Sequence, residues 1–369
     1  MKSKYLVMLD DILNKIENAV YKPGDMIPTE NELTVLYNVS RTTVQKALNI
    51  LASKGIIYRV AGKGTFVSEK ECPANVAPND VFSIVLPYKS QITVYYLNGA
   101  QSYMDKYNSK LSVHFTENSY ESEIHIVDRL VKSNCAGIIL YPNESMDKEG
   151  FYRNLANRKI PVITIDKQIV GASFSSVTAN NYSGGYSVAE YFLSKGHHEF
   201  AFFSHSFKIG NSLLDRYRGF TDCLKNHNLS LKKENTIVDL QHIPNGDICS
   251  FIKNYFIKHK SNIPSAIFCT SDDVASLVYR AAYELDLKIP ETFSVIGYDN
   301  LNIAAMISPT LTTIEQPYYE IGRSAAKLLL EKYMSPSEVI THIELPIKLI
   351  ERNSVFNYQN NAHDNKSNI

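Results

Sequence analysis

The stretch Ile27–Val67, IPTENELTVLYNVSRTTVQKALNILASKGIIYRVAGKGTFV, reads as helix, turn, helix and then a tight β-ribbon. Thr29 followed by Glu32 is a capping box, in which each side chain serves a free backbone N–H at a helix start. Leu33 and Leu36 supply that helix's buried face. Asn38-Val39-Ser40 breaks it, and the Ser40 hydroxyl caps the next helix. There Val44, Ala47, Leu48 and Leu51 recur at i, i+3, i+4 and i+7, one apolar stripe. The opposite face opens with Arg41, Thr42 and Gln45, with Thr43 and Lys46 in the same turns. Such donors reach base edges and phosphates, and a helix presenting them at its N-terminal end suits the major groove. Glu30, at the start of the preceding helix, can accept from a cytosine amino group or serve the helix dipole. Gly55 ends the second helix, and Ile56–Tyr58 and Thr65–Val67 flank a tip carrying Gly62, Lys63 and Gly64. Lys63 is placed to reach the adjacent groove. These features predict a DNA-binding head.

With an initial amphipathic helix built on Leu6, Leu9, Leu13, Ile16 and Val20, the segments PTENEL, VSRTTV, KAL and GKGTFV stand in the order of a known module. The first seventy or so residues resemble the winged helix-turn-helix of the GntR family of bacterial transcription regulators. Asn31 and Gln45 depart from that pattern, standing where the family often carries arginine. Each departure removes a phosphate-contacting charge, which alters affinity or operator sequence.

The whole chain has 369 residues and a formal net charge of zero, leaving about three hundred residues for a larger body. Met1–Lys70 holds ten Lys/Arg against seven Asp/Glu, and the remainder twenty-eight against thirty-one. A mildly basic head on a mildly acidic body suits DNA contact by the head. The first residues lack a secretory pattern and no run reaches the length of a membrane span, so a cytoplasmic location without membrane contact is expected. Cys72, Cys135, Cys223, Cys249 and Cys269 are odd in number and show no C-x-x-C spacing, as for reduced thiols.

Ser68–Asp80, SEKECPANVAPND, is polar and proline-broken and predicts a linker. Beyond it, FSIVLP from Phe82, GIILYP from Gly137, PVITID from Pro161, FAFFSH from Phe200, AIFCTS from Ala266 and FSVIGYD from Phe293 read as buried parallel strands. Helical stretches such as Tyr182–Lys195, Ser212–His227 and Asp272–Leu285 lie between them, the pattern of an α/β domain with helices on both sheet faces. The asparagine-rich end from Phe356 predicts a disordered tail.

Eight segments of this body, CAGIIL, PVITID, VTANNYSGG, KGHHEFAFF, RYRGF, AIFCTSDDVA, IPETFSVIGYDN and PTLTTIEQP, follow one another as do the landmarks of the LacI/GalR family effector domain. The resemblance spans about Phe82 to Arg352. It implies an α/β fold like that of periplasmic binding proteins: two lobes with parallel sheets, joined by three crossovers around a ligand cleft. It places the head at 1–70, a linker at 71–80, the effector-binding and dimerisation domain at 81–354 and the tail at 355–369. Lobe one is then about 81–196 plus 310–333, and lobe two about 197–309 plus 334–354.

In open α/β sheets ligands gather at the carboxyl ends of strands. Asp299 stands just past VIGY, where a carboxylate can accept from two adjacent hydroxyls, and Arg216 opens RYRGF, where a guanidinium fork can span neighbouring oxygens. Both match the family's most constant effector contacts. By the same resemblance Ser271 and Asp272 fall at a polar contact position, Asn180 falls where the family usually has Asp, and Tyr88 and Lys89 follow the first strand at the cleft mouth or in a solvated loop. Gly62-Lys63-Gly64-Thr65 lacks the spacing of a phosphate loop, and adjacent His197-His198 point to different sides rather than to one metal. No G-x-S-x-G elbow or catalytic Cys/His context occurs. The expectation is a non-enzymatic transcriptional repressor without cofactor or metal: a homodimer on operator DNA, released by a sugar inducer, arabinose or a relative of it. A co-repressor arrangement and a non-regulatory sugar-binding protein are the alternatives.

Overall fold

A computed structural model describes residues 4–17, 20–22, 24–53, 56–60, 64–67, 80–143, 146–147, 150–205, 211–240, 243, 247–260 and 262–358. The chain divides into two compact units, Met1–Val76 and Ala77–Ile369.

In the first unit α1 (Lys4–Glu17), α2 (Glu30–Tyr37) and α3 (Arg41–Ser53) precede the antiparallel ribbon of β1 (Ile57–Val60) and β2 (Gly64–Val67), with Ile57 opposite Val67. The capping box forms as the sequence requires: the Thr29 N–H donates to Glu32 Oε2 at 2.7 Å and the Glu32 N–H to Thr29 Oγ1 at 3.4 Å. Asn38 ends α2 in the left-handed conformation, which asparagine tolerates at a helix C-terminus. The stripe Val44, Ala47, Leu48 and Leu51 is buried against Met8, Leu9 and Ile12 of α1, Leu33 of α2 and Ile57 and Val67 of the ribbon. Two expectations change. Leu36 is 57% exposed, because a two-turn helix offers this small core only Leu33. Leu6 faces outward and Val20 lies past the end of α1, so Met8, Leu9 and Ile12 form the buried stripe.

The second unit begins with β3 (Val81–Leu86), α4 (Gln91–Asp105), β4 (Lys110–Phe115), α5 (Tyr120–Lys132), β5 (Gly137–Leu140), α6 (Phe151–Ala156), β6 (Val162–Ile165) and β7 (Ser175–Ala179). It continues with α7 (Asn181–Ser194), β8 (Phe200–Phe203), α8 (Asn211–Asn226), β9 (Thr236–Ile237), α9 (Ile248–Lys258), β10 (Ala266–Cys269), α10 (Asp272–Glu284), β11 (Ser294–Ile296) and α11 (Asn302–Met306). The last elements are β12 (Thr313–Glu315), α12 (Tyr318–Met334), β13 (His342–Leu345) and β14 (Lys348–Ile350). One sheet has the order β13-β7-β6-β5-β3-β4 and the other β11-β10-β8-β9, and the pairs within both are parallel. Their central strands are buried throughout, as parallel strands covered by helices on both faces must be.

The chain crosses between these sheets three times, and the crossings shift the expected lobe limits. After β7 the chain enters α7, whose Val188, Ala189 and Phe192 join the core of the second sheet with Phe200, Phe220 and Phe268; α7 therefore belongs to lobe two. β12 pairs antiparallel with β14 beside the second sheet, while α12 packs on α4 of lobe one. β13 then pairs with β7 in the first sheet, so His342–Leu345 belongs to lobe one rather than lobe two. The end also differs: the Phe356 N–H donates to Ser294 Oγ at 2.8 Å, and Tyr358 packs edge-on against the buried His197 ring. This hydrogen bond and ring contact hold 355–358 on lobe two. The expected linker, Ser68–Asp80, lies outside the described residues except for Asp80, as does the tail beyond Tyr358.

No described helix is long and apolar enough to cross a membrane. The α4·α12 crossing is made by two glycines in reciprocal contact: a Cβ on Gly99 would sit 1.9 Å from Tyr319 O, and one on Gly322 2.0 Å from Tyr96 O. Both obstacles are backbone, which cannot rotate away. Gly99→Ala is expected to cost about 1–3 kcal/mol of unfolding free energy in a denaturant titration, and an unchanged midpoint would contradict this packing.

Candidate functional site

The polar groups of the second unit collect just past strand ends, where a parallel sheet leaves a crevice. In lobe one these are Tyr88 after β3, Tyr141 after β5 and Asp166 after β6; in lobe two they are His205 after β8, Ser271 after β10 and Asp299 after β11. Arg216 reaches the same place from α8. A Cβ on Gly185 of α7 would lie 1.9 Å from Arg216 O, so glycine there lets α7 and α8 touch at the turn carrying the arginine.

Arg216 is 5% exposed. Its Nε donates to Asn181 Oδ1 at 2.8 Å and its Nη1 to Thr270 O at 2.6 Å, with Asp299 Oδ1 3.8 Å from Nη1. The guanidinium carbon lies 3.7 Å from the centroid of the Tyr298 ring, a cation–π contact strengthened by exclusion of water. Asp299 Oδ1 accepts from Tyr318 Oη at 2.7 Å and Gln316 Nε2 at 2.8 Å. Burial pushes the Asp299 carboxyl up to about 6, against the pull of Arg216 and the two hydrogen bonds. Beyond Tyr318 the Tyr96 ring meets it edge-on at 5.2 Å, and Tyr96 Oη donates to Asp166 Oδ1 at 3.3 Å. Burial raises the Tyr96 and Tyr141 hydroxyls well above the ordinary range, with the Asp166 charge adding to the effect. Tyr88 is raised by burial and then by Asp273, Asp299 and Asp166, so one phenol feels carboxylates of both lobes. The arrangement offers a guanidinium, two carboxylates and flat tyrosine faces, the groups that recognise a small polyhydroxyl molecule with apolar ring faces.

The effector residues named from sequence thus separate. Arg216 and Asp299 come together, with Ser271 near them: its Oγ caps α10 through the Val274 N–H and lies 3.5 Å from His205 Nε2. Asp272, one residue on, is fully buried inside lobe two, accepting from Thr313 Oγ1 and the Leu301 N–H; it does not face the crevice. Asn180 is occupied as the cap of α7, accepting from the Ser183 N–H at 2.9 Å. Lys89 lies over the Phe115 ring, 5.5 Å from its centroid. Sequence reasoning passed over Asp166, Tyr96, Tyr141, Gln316, Tyr318 and Asn181. For Asp166 the signal was present, because it closes PVITID at a strand end as Asp299 follows VIGY.

On the first unit Arg41, Thr42 and Lys46 are exposed on α3. The Glu30 carboxylate accepts from Arg41 Nε at 3.1 Å and Gln45 Nε2 at 3.0 Å, so it orients both donors. Ser40 Oγ accepts from the Thr43 N–H at 3.3 Å and lies 2.8 Å from Thr43 Oγ1. Lys46 Nζ lies 4.3 Å from the Tyr5 ring centroid. Gly62 and Lys63 lie outside the described residues. Among the described residues no cluster of three His, Cys, Asp or Glu could hold a metal ion.

Comparison with known proteins matches both units. Residues 4–67 match the family described as bacterial regulatory proteins, gntR family, and residues 189–355 match the periplasmic binding protein-like domain. The chain carries a GntR-type head and a periplasmic-binding-protein-like body. It is 27% identical over 356 residues, 95% of this chain and 97% of the other, to the arabinose metabolism transcriptional repressor of Geobacillus stearothermophilus. It is 33% identical over 216 residues, 58% of this chain and 60% of the other, to the HTH-type transcriptional repressor PurR of Yersinia enterocolitica. In fold, the body resembles a LacI family transcriptional regulator of Enterococcus faecium solved with bound ribose, with a TM-score of 0.63 and 23% identity over 75% of this chain and 99% of that one.

Because Asp299 holds its proton more tightly folded than unfolded, its contribution to stability is fullest at low pH and is lost as pH rises from about 4 to about 6. Asp299→Asn removes that loss, so the unfolding free energy of the variant falls less than that of the unmodified chain between about pH 4 and about pH 7. Parallel profiles in urea titrations would contradict the raised carboxyl.

Proposed function

We propose that the protein is a transcriptional repressor that binds operator DNA through α2, α3 and the ribbon, and that a sugar bound between the lobes releases it. The observation that carries this reading is the buried Arg216–Asp299 pair at the strand ends, facing Asp166 across tyrosine rings, in a chain whose head carries exposed donors on α3. Arg216, Asp299 and Asp166 take the hydroxyls, Tyr88 and Ser271 border the site, and the tyrosine rings cover the apolar face of the sugar. The named repressor of arabinose metabolism, matched over nearly its whole length, favours arabinose or a related pentose as the ligand. Arg41, Thr42, Thr43, Gln45 and Lys46 face the DNA; Glu30 and Ser40 hold Arg41, Gln45 and Thr43 in place. Two heads on a palindromic operator require a homodimer, and the work of such a regulator is in the cytoplasm. Binding and release need no chemical step, so no catalytic role is assigned to any residue.

The test is a mobility-shift titration of the promoter next to the gene, against a panel of pentoses and hexoses. A sugar that releases the DNA supports induction; one that tightens the complex replaces induction with co-repression, and no effect by any sugar overturns the ligand assignment. Arg41→Ala is expected to weaken operator binding by about 1–3 kcal/mol with sugar binding unchanged. Arg216→Ala is expected to do the reverse, losing the sugar response while keeping operator affinity. If both variants lose both activities alike, the division of labour is wrong.

A further inference from the structure

Asp299, the carboxylate on which the sugar site depends, occupies a backbone conformation its side chain does not favour. Its φ is 106° and that of the following Asn300 is 51°. A non-glycine residue in this region is strained and persists only where its surroundings hold it. Neither residue is glycine, and the glycine of the segment, Gly297, lies two residues earlier.

Asp272 grips the segment from beneath, while Arg352 Nη2 donates to Asn300 Oδ1 at 2.7 Å from the other side. The Asp272 N–H donates to Tyr298 O at 2.8 Å, and its Oδ2 accepts the Leu301 N–H at 2.7 Å. One residue therefore grips the turn on both sides of Asp299 and Asn300. Its other oxygen, Oδ1, accepts from Thr313 Oγ1 at 2.6 Å. Thr313 opens β12, whose next residue, Ile314, accepts the Asp299 N–H at 2.7 Å. Gly297 makes room for this arrangement, since a Cβ there would lie 2.2 Å from Asp272 Oδ1. Asp272 is fully buried, and every contact it makes here is to the turn or to the strand beneath it.

We propose that Asp272 is a positioning residue of the sugar site, a clamp that holds the Gly297–Leu301 turn so that Asp299 projects toward Arg216, Gln316 and Tyr318. It acts through Asp299 and touches no sugar. Burial, with the Asp299 charge adding to it, raises the Asp272 carboxyl to about 8, so a neutral side chain of the same shape is tolerated in its place. An asparagine amide has the same shape, accepting from Leu301 while donating to the Thr313 hydroxyl. Asparagine should therefore replace it, whereas alanine should not.

The role in sugar binding rests on the function proposed above, but the clamp itself is measurable without any ligand. Amide hydrogen exchange on the full chain reads the turn directly. In Asp272→Ala the amides of Asp299, Asn300 and Leu301 are expected to exchange at least about tenfold faster, with the β3, β5 and β8 amides unchanged and Asp272→Asn close to the unmodified chain. Equal exchange at the turn in all three proteins overturns the clamp, as does acceleration spread evenly over the body. The second arm is a double-mutant cycle read by calorimetry with arabinose and ribose. Asp272→Ala should lower affinity at least about tenfold in the unmodified chain and less than about twofold when Asp299 is already asparagine. Additive losses overturn action through Asp299. Failure of the unmodified chain to bind either sugar counts against the proposed ligand class and leaves the exchange result to decide the clamp.

Discussion

One buried guanidinium organises the second unit. Removing Arg216 from water costs several kcal/mol unless its donors and charge are met, and the structure meets them from four directions. Asn181 and Thr270 O take two donors, Tyr298 supplies a ring face, and Asp299 supplies the charge at 3.8 Å. That separation is longer than a direct ion-pair hydrogen bond. Both partners instead spend their closest contacts on neutral groups.

Asp299 passes the constraint onward. It is held by Gln316 and Tyr318, which lie at the crossover between β12 and α12, so a lobe-two carboxylate is bonded to a segment that links the lobes. Tyr318 packs on Tyr96, and Tyr96 donates to Asp166 of lobe one. A ligand that competes for these oxygens must alter contacts on both sides of the crossover. This is the physical form a differential affinity between two arrangements would take. The glycine crossings set the frame: Gly185 brings α7 onto Arg216, and Gly322 brings α12 onto Tyr96, so both sides of the site stand on backbone contacts that admit no slack.

Much of this was legible in the sequence, for reasons that also explain what was missed. The continuous apolar runs at Phe82, Gly137, Pro161, Phe200, Ala266 and Phe293 became strands because only a doubly covered parallel strand can bury every residue. Among the strands that escaped notice, β4 in KLSVHF, β7 in SSVTA and β13 in HIEL carry polar residues and lie toward the sheet edges or at a crossing. With β13 unseen, its segment was assigned to the wrong lobe. Asp299 stood out as a charge at a strand end and Arg216 through the resemblance carried by RYRGF, whereas Tyr96 and Tyr318 carry no charge and their buried rings lie on helices that the sequence reading did not single out. Ser271 and Asp272 show the limit most plainly. They are adjacent at one strand end, yet helix geometry turns the first toward His205 and the second into the interior beneath Gly297.

The central claim is that one ligand, held between Arg216 and Asp299, is coupled to DNA binding by the head. Linkage makes such coupling reciprocal, so operator DNA must change sugar affinity by the factor by which sugar changes operator affinity. Isothermal calorimetry of arabinose binding to the intact protein, with and without saturating operator duplex, measures that factor directly. The account predicts weaker sugar binding in the presence of DNA, by the ratio found in the reverse titration and within the five- to 150-fold range of about 1–3 kcal/mol typical of allosteric coupling. Equal sugar affinity in the two titrations would contradict it.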